Sequence, residues 1–133
     1  MDQLAFSIPE IYGGLAKVVG LAIIAADGMR LQYQTHDTIG GFYRSGVKEL
    51  LVPWADVAAV DFRKGMFGAT LHLRTASLTS LAGLPGCEGN ELVLRFGRDR
   101  RGEVEAFAQR LQLRAANQTI DEISERLRQL RVP

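Results

Sequence analysis

At 133 residues the chain has room for one sizeable hydrophobic core and too little for two. Apolar residues make up 47% and charged ones 23%, a balance that excludes a disordered tail. Sixteen Lys and Arg against fifteen Asp and Glu leave a formal charge of +1, so no global field draws the chain to nucleic acid or acidic lipid.

Cys87 is the only cysteine, which rules out an internal disulfide, a CxxC redox pair and a cysteine-based zinc site. The opening "MDQLAFSIPEIYGG" lacks the basic-then-apolar order of a secretion signal. The most apolar stretch, residues 15–26, contains Lys17 and is shorter than the ~18 residues a membrane-spanning helix needs. The expected setting is a reducing cytoplasm.

Taken in order, the chain begins with strands. Residues 4–8 alternate Leu4, Phe6 and Ile8 before Pro9. Residues 16–26 run apolar into Asp27-Gly28, where glycine suits the positive φ of a tight hairpin. The return strand, 29–36, sets Met29, Leu31 and Tyr33 against Arg30, Gln32 and Gln34. After a loop at 37–46, Leu50, Val52 and Trp54 alternate, and beyond Asp56 so do Ala58, Val60 and Phe62. Residues 68–75 point Ala69, Leu71 and Leu73 inward. An irregular segment, 77–89, precedes a last strand at 91–96 with Leu92, Leu94 and Phe96 inward. The count is seven strands.

The period then changes. Asp99 can cap a helix starting near Arg100, whose apolar stripe is Val104, Phe107, Ala108 and Leu111. After "AANQ", Thr119 and Glu122 form a capping-box pair that predicts a second helix. Its apolar positions Ile120, Ile123, Leu127 and Leu130 make a narrow helix-packing seam. Residues 1–117 thus read as a domain and 118–133 as a helical extension. Seven antiparallel strands leave costly edges and a half-covered core, and the first helix is the natural plug.

This order resembles the pleckstrin-homology-like (PH-like) superfold, and more closely the bacterial PH-like domains. The resemblance is carried by "IYGGLAKVVGLAIIAADGMRLQYQ", "SGVKELLVPWADVAAVDFRKGMFGATLHLR" and "LAGLPGCEGNELVLRF" with its trailing helix, and covers roughly residues 4–114. It implies a mainly β, α+β fold: a seven-stranded antiparallel PH-like barrel or orthogonal sandwich capped by a C-terminal helix, with the second short helix lying beyond the family core. Members that bind phosphoinositides gather lysines and arginines at the first hairpin. Here that connection is "PEIYGG", with no basic residue, so the resemblance does not extend to that ligand.

No constellation of nucleophile, base and orienting group emerges. His36 and His72 fall on polar faces, Cys87 lies in a glycine-rich loop, and Glu49, Asp56 and Asp61 form no interpretable acid–base pair. No glycine pattern cradles a phosphate, and no catalytic, metal or cofactor site is expected. Arg98, Arg100 and Arg101 are interrupted by Asp99, Glu103 and Glu105, the pattern of a solvated surface and not of a nucleic-acid interface.

Three loops carry large apolar groups: Ile11 and Tyr12; Ile39, Phe42 and Tyr43; and Met66 and Phe67. The plainer reading tucks them inward to close the barrel. The sharper one makes an interaction surface of Tyr12, Phe42, Tyr43, Arg44, Met66 and Phe67, flanked by Lys48, Arg63 and Lys64. The second strand is apolar on both parities, so something is expected to cover its outer face. The Ile120–Leu130 seam folding back within the chain is the preferred cover, and self-association through that seam is the alternative. These features point to a non-catalytic protein-interaction or scaffolding module that can self-associate. Peripheral membrane binding through the loop tips is the second reading and a small-ligand carrier the third.

Overall fold

Seven segments of period-two alternation become seven strands: β1 (Gln3–Ile11), β2 (Ala16–Ile24), β3 (Gly28–Asp37), β4 (Lys48–Pro53), β5 (Val57–Lys64), β6 (Gly68–Thr75) and β7 (Glu91–Gly97). The structure is a computed structural model and describes residues 2–37 and 46–131. All pairings are antiparallel, in a four-stranded sheet ordered β1-β2-β3-β4 and a three-stranded sheet ordered β5-β6-β7. Among the described residues no ladder joins the two sheets, so they form two layers and not a closed barrel.

The inward parity of each strand supplies the core. Leu4, Phe6, Val18, Met29, Leu31 and Val52 from the first sheet meet Leu71, Leu73, Leu92, Leu94 and Phe96 from the second. One helix, α1 (Arg101–Arg131), plugs the gap with Val104, Phe107, Ala108 and Leu111, all essentially inaccessible. Burying each large side chain contributes about 1.5–3 kcal/mol relative to leaving it in water. Leu81 and Leu84 of the irregular segment close another side, where the Tyr33 hydroxyl donates to the Gly83 carbonyl at 2.7 Å.

Local departures from the expected pattern have identifiable causes. The β2–β3 hairpin turns on Ala26 and Asp27, and Gly28 already belongs to β3 with a negative φ. Its lack of a side chain serves close approach instead: a Cβ there would lie 2.2 Å from the Val52 carbonyl oxygen of β4. Trp54 leaves the strand for a 3-10 turn, Trp54–Asp56, yet stays buried because its indole N–H donates to the Ala25 carbonyl at 3.1 Å. A register shift between Val57 and Ala59 turns Ala58 outward, against the alternation read from the sequence. Asp99 sits inside a 3-10 turn, Arg98–Arg100, and the α-helix starts at Arg101, one residue later than a cap at Asp99 implies.

The larger correction concerns the C-terminus. The expected second helix is the distal half of α1, which runs unbroken through "AANQ". That stretch contains two alanines and neither glycine nor proline, so nothing interrupts the hydrogen-bond ladder. The Thr119 hydroxyl donates to the Ala115 carbonyl one turn back, and Gln118 reaches Glu122; the pair that resembles a capping box is interior to a helix. A continuous helix cannot reverse direction, so the seam does not fold back over β2. The outer face of that strand is half-covered by its neighbours: Val19, Leu21 and Ile23 pair with Gln34, Gln32 and Arg30, whose aliphatic stems lie alongside.

Candidate functional site

The β5–β6 hairpin ends in the tightest turn of the second sheet. The Gly65 N–H donates to the Gly68 carbonyl at 2.8 Å, leaving Met66 and Phe67 as the two tip residues. Gly68 lies hard against β7, where a Cβ would come within 2.2 Å of the Phe96 carbonyl oxygen. Backbone therefore fills the base of the tip, and the two side chains project, Met66 74% and Phe67 87% exposed. Arg101 donates to the Gly65 carbonyl at 3.1 Å and Lys64 pairs with Glu105 at 3.4 Å, so the tip is tied to α1. Arg63 pairs with Asp61 at 2.9 Å. A shallow depression of about 370 Å³ runs beneath the tip, lined by Lys64, Met66, Phe67, Thr70 and Arg95 among others.

Arg95 also lines a larger cleft, about 590 Å³, where the outer edges of β1 and β7 stand side by side without pairing. Ile8, Tyr12, Glu88, Glu91 and Val93 are among its other walls. Ile11 turns into the core, while Tyr12 is 66% exposed and held at φ 53°, in the left-handed region, ahead of Gly13 and Gly14 at φ 68° and 90°. A tyrosine in that conformation is uncommon and costs about 1–2 kcal/mol. The inward reading is thus overturned for Tyr12, Met66 and Phe67, which stand in water, whereas Ile11 is buried in the core between two sheets that do not close into a barrel. Phe42, Tyr43 and Arg44, with Ile39, lie outside the described residues. The sequence reading missed Arg95 and the cleft, although the outward alternation of Glu91, Val93 and Arg95 on a last, edge strand carried the signal.

The seam residues Ile120, Ile123, Leu127 and Leu130 lie far along α1 and are all exposed, from 51% at Ile123 to 82% at Leu130. Two further exposed residues on the proximal turns, Leu113 and Ala116, continue the same stripe. Trp54 anchors the helix where it leaves the sheets: the Arg114 guanidinium sits 5.6 Å over the indole and donates to the Ala25 carbonyl at 3.1 Å.

The groups that could carry chemistry have other occupations. The Asp56 carboxylate accepts from the Ser77 N–H at 2.8 Å and from the Ser80 hydroxyl, fastening the 77–80 loop to the 3-10 turn. Glu49 accepts from Arg30, which also pairs with Asp27 and holds its carboxyl below the ordinary range. Glu103 is lowered likewise by hydrogen bonds from Arg100, whose guanidinium also lies 5.0 Å over Phe96. His36 shares a 2.7 Å hydrogen bond with Gln34, two residues along the same strand face. Burial pushes the Cys87 thiol up to about 11, so it is protonated, and poorly nucleophilic, at neutral pH. Among the described residues no group of three or more His, Cys, Asp or Glu side chains is placed to hold a metal ion. No helix among them is long and apolar enough to cross a membrane. The chain matches no protein-family model, no curated protein and no solved structure.

Proposed function

We propose that the chain is a non-catalytic interaction module of the PH-like kind, which docks a protein partner on the β5–β6 tip and the adjoining face of β7. The observation that carries this is the Met66–Phe67 pair. Two large apolar side chains occupy a turn that normally takes polar residues, and they stand in water on a turn closed by the Gly65–Gly68 hydrogen bond and tied to α1 through Arg101. Large apolar side chains that stand in water gain most when a partner's pocket buries them, which is what makes such residues dominate an interface. The depression beneath the tip and the β1–β7 cleft share Arg95, so a partner seated on the tip has a polar rim and two unpaired strand edges beside it. The four-plus-three strand arrangement with a C-terminal helix supports the PH-like assignment.

Membrane docking by the same tip is the second reading, since an apolar pair beside basic residues can enter a lipid interface. The protein reading is favoured because Arg63 and Lys64 each carry a carboxylate partner, Asp61 and Glu105, which weakens attraction to anionic lipid. A small-ligand carrier needs an enclosed cavity, and here the space between the sheets is filled by core side chains. The test uses the native chain and a Met66→Asp/Phe67→Asp variant as baits in the same lysate, with vesicle flotation alongside. Both baits stay folded; the native chain retains a partner that the variant loses by at least ~30-fold. Equal recovery by the two baits refutes the tip as a docking site. Flotation of the native chain with anionic vesicles, lost in the variant, moves the assignment to a lipid surface.

A further inference from the structure

From the distal half of α1, a feature separate from the β5–β6 tip, we infer that the chain forms an antiparallel homodimer through that helix. Residues 118–131 extend roughly 20 Å at 1.5 Å per residue. Among the described residues, the side-chain hydrogen bonds and ion pairs along this stretch are local to the helix: Gln118 to Glu122, Thr119 to Ala115 and Arg128 to Glu125. A helix of that length without packing is marginal in water, even when its first turns are anchored. It also carries an apolar stripe, Leu113, Ala116, Ile120, Ile123, Leu127 and Leu130, at alternating spacings of three and four, the repeat that lets one helix face another. The stripe lies on the side of α1 away from Val104, Phe107, Ala108 and Leu111, so the partner helix docks without displacing the core contacts of α1.

The occupant is a second copy because the stripe complements itself. Reversed about a point between Asp121 and Glu122, Leu113 meets the partner's Leu130, Ala116 meets the partner's Leu127, and Ile120 meets the partner's Ile123. Each layer then contains a large side chain, and the one small residue is matched by a leucine. A parallel pair would instead stack Ala116 on the partner's Ala116 and leave a hollow between large layers. The flanking positions nearest the centre, Asn117, Thr119 and Ser124, are neutral, and the charged flank Arg126 falls opposite the partner's Asn117 and Thr119 in the antiparallel register, so no like charges meet there. Leu113 also forms one wall of an open notch of about 330 Å³ with Ile24, Ala25 and Ala26, rimmed by Asp2, Arg110 and Arg114. In the antiparallel pairing the partner's Leu130 arrives beside that notch, extending the contact from the helix onto the β2–β3 turn. The paired stripes remove on the order of 1,000 Å² from water across both chains, about the size at which a specific interface becomes stable. The symmetry is a closed two-fold, so association stops at the dimer.

The experiment is sedimentation equilibrium of the full chain, together with disulfide mapping. The native chain shows a monomer–dimer equilibrium with Kd on the order of micromolar. Ile123→Asp and Leu127→Asp, both at exposed positions, keep the native near-ultraviolet dichroism and raise Kd by at least ~100-fold. In a Cys87→Ser background, Leu113→Cys/Leu130→Cys oxidises to a bond between 113 and 130. Those positions are roughly 25 Å apart on one helix, so that bond reports two chains in antiparallel register. A chain that stays monomeric at the highest concentration, a dimer unaffected by both aspartates, or cross-links joining only like positions overturns the inference.

Discussion

Two alanine substitutions on the same helix separate its packed half from its free half. Phe107 is fully buried between the sheets, beside Val104 and Leu111. Phe107→Ala removes a whole ring from a site walled by β-strands that cannot collapse to fill it, and is expected to cost about 3–5 kcal/mol. Against a typical domain stability of about 5–15 kcal/mol, that is a large share of the total. Leu127 is equally apolar but 53% exposed, and no strand covers it. At concentrations where the chain is monomeric, Leu127→Ala is expected to cost about 0.5 kcal/mol or less, since alanine also favours the helix. Urea unfolding followed by the single tryptophan, Trp54, reports both, because its indole lies under Arg114 where the helix meets the β2–β3 turn. The midpoint should fall steeply for the first variant and barely move for the second, with the slope unchanged in both. A loss above about 1.5 kcal/mol for Leu127→Ala in dilute solution would show that the distal half packs within its own chain. A loss below that for Phe107→Ala would mean that α1 is not the plug of this core.

Two further outcomes follow from the backbone and the buried thiol. Tyr12→Gly relieves a left-handed tyrosine whose ring is mostly in water, and is expected to raise stability by about 0.5 kcal/mol once glycine's greater unfolded-state freedom is subtracted. Thermal unfolding measures it, and a net loss above about 1 kcal/mol would mean that the ring is held by the β1–β7 cleft. Cys87 should react with a disulfide reagent at pH 8 about 100-fold more slowly than an ordinary thiol, its rate climbing with pH up to about 11 and levelling off beyond it. Its pKa is raised on folding, so the stabilisation tied to the neutral thiol is present below the unfolded value near 9 and is lost as pH rises through about 11. Reaction at pH 8 as fast as that of a small free thiol contradicts this burial.

The sequence by itself determined which residues face the core. Period-two alternation placed Leu4, Phe6, Leu31, Leu71, Leu73, Leu92, Leu94 and Phe96 inward, and helical spacing did the same for Val104, Phe107 and Leu111. These are local consequences of backbone geometry, and burial then enforces them. What alternation could not reveal was decided by contacts between distant segments. Gly28 and Gly68 are glycines because carbonyls of neighbouring strands press against them, and Ala58 turns outward at a register shift seen only when β5 meets β6. The capping-box pattern at Thr119 and Glu122 misled because a local signal does not stop a helix whose ladder is already propagating from an anchored start. Exposure was the least legible property. Ile11 and Tyr12 are neighbours of similar apolar weight, yet one is buried and the other stands in water. In the sequence Met66 and Phe67 read more plainly as a closing plug than as a projecting tip. The close approach of Gly68 to β7 packs backbone against backbone at the foot of the turn, and the two tip side chains stand in solvent.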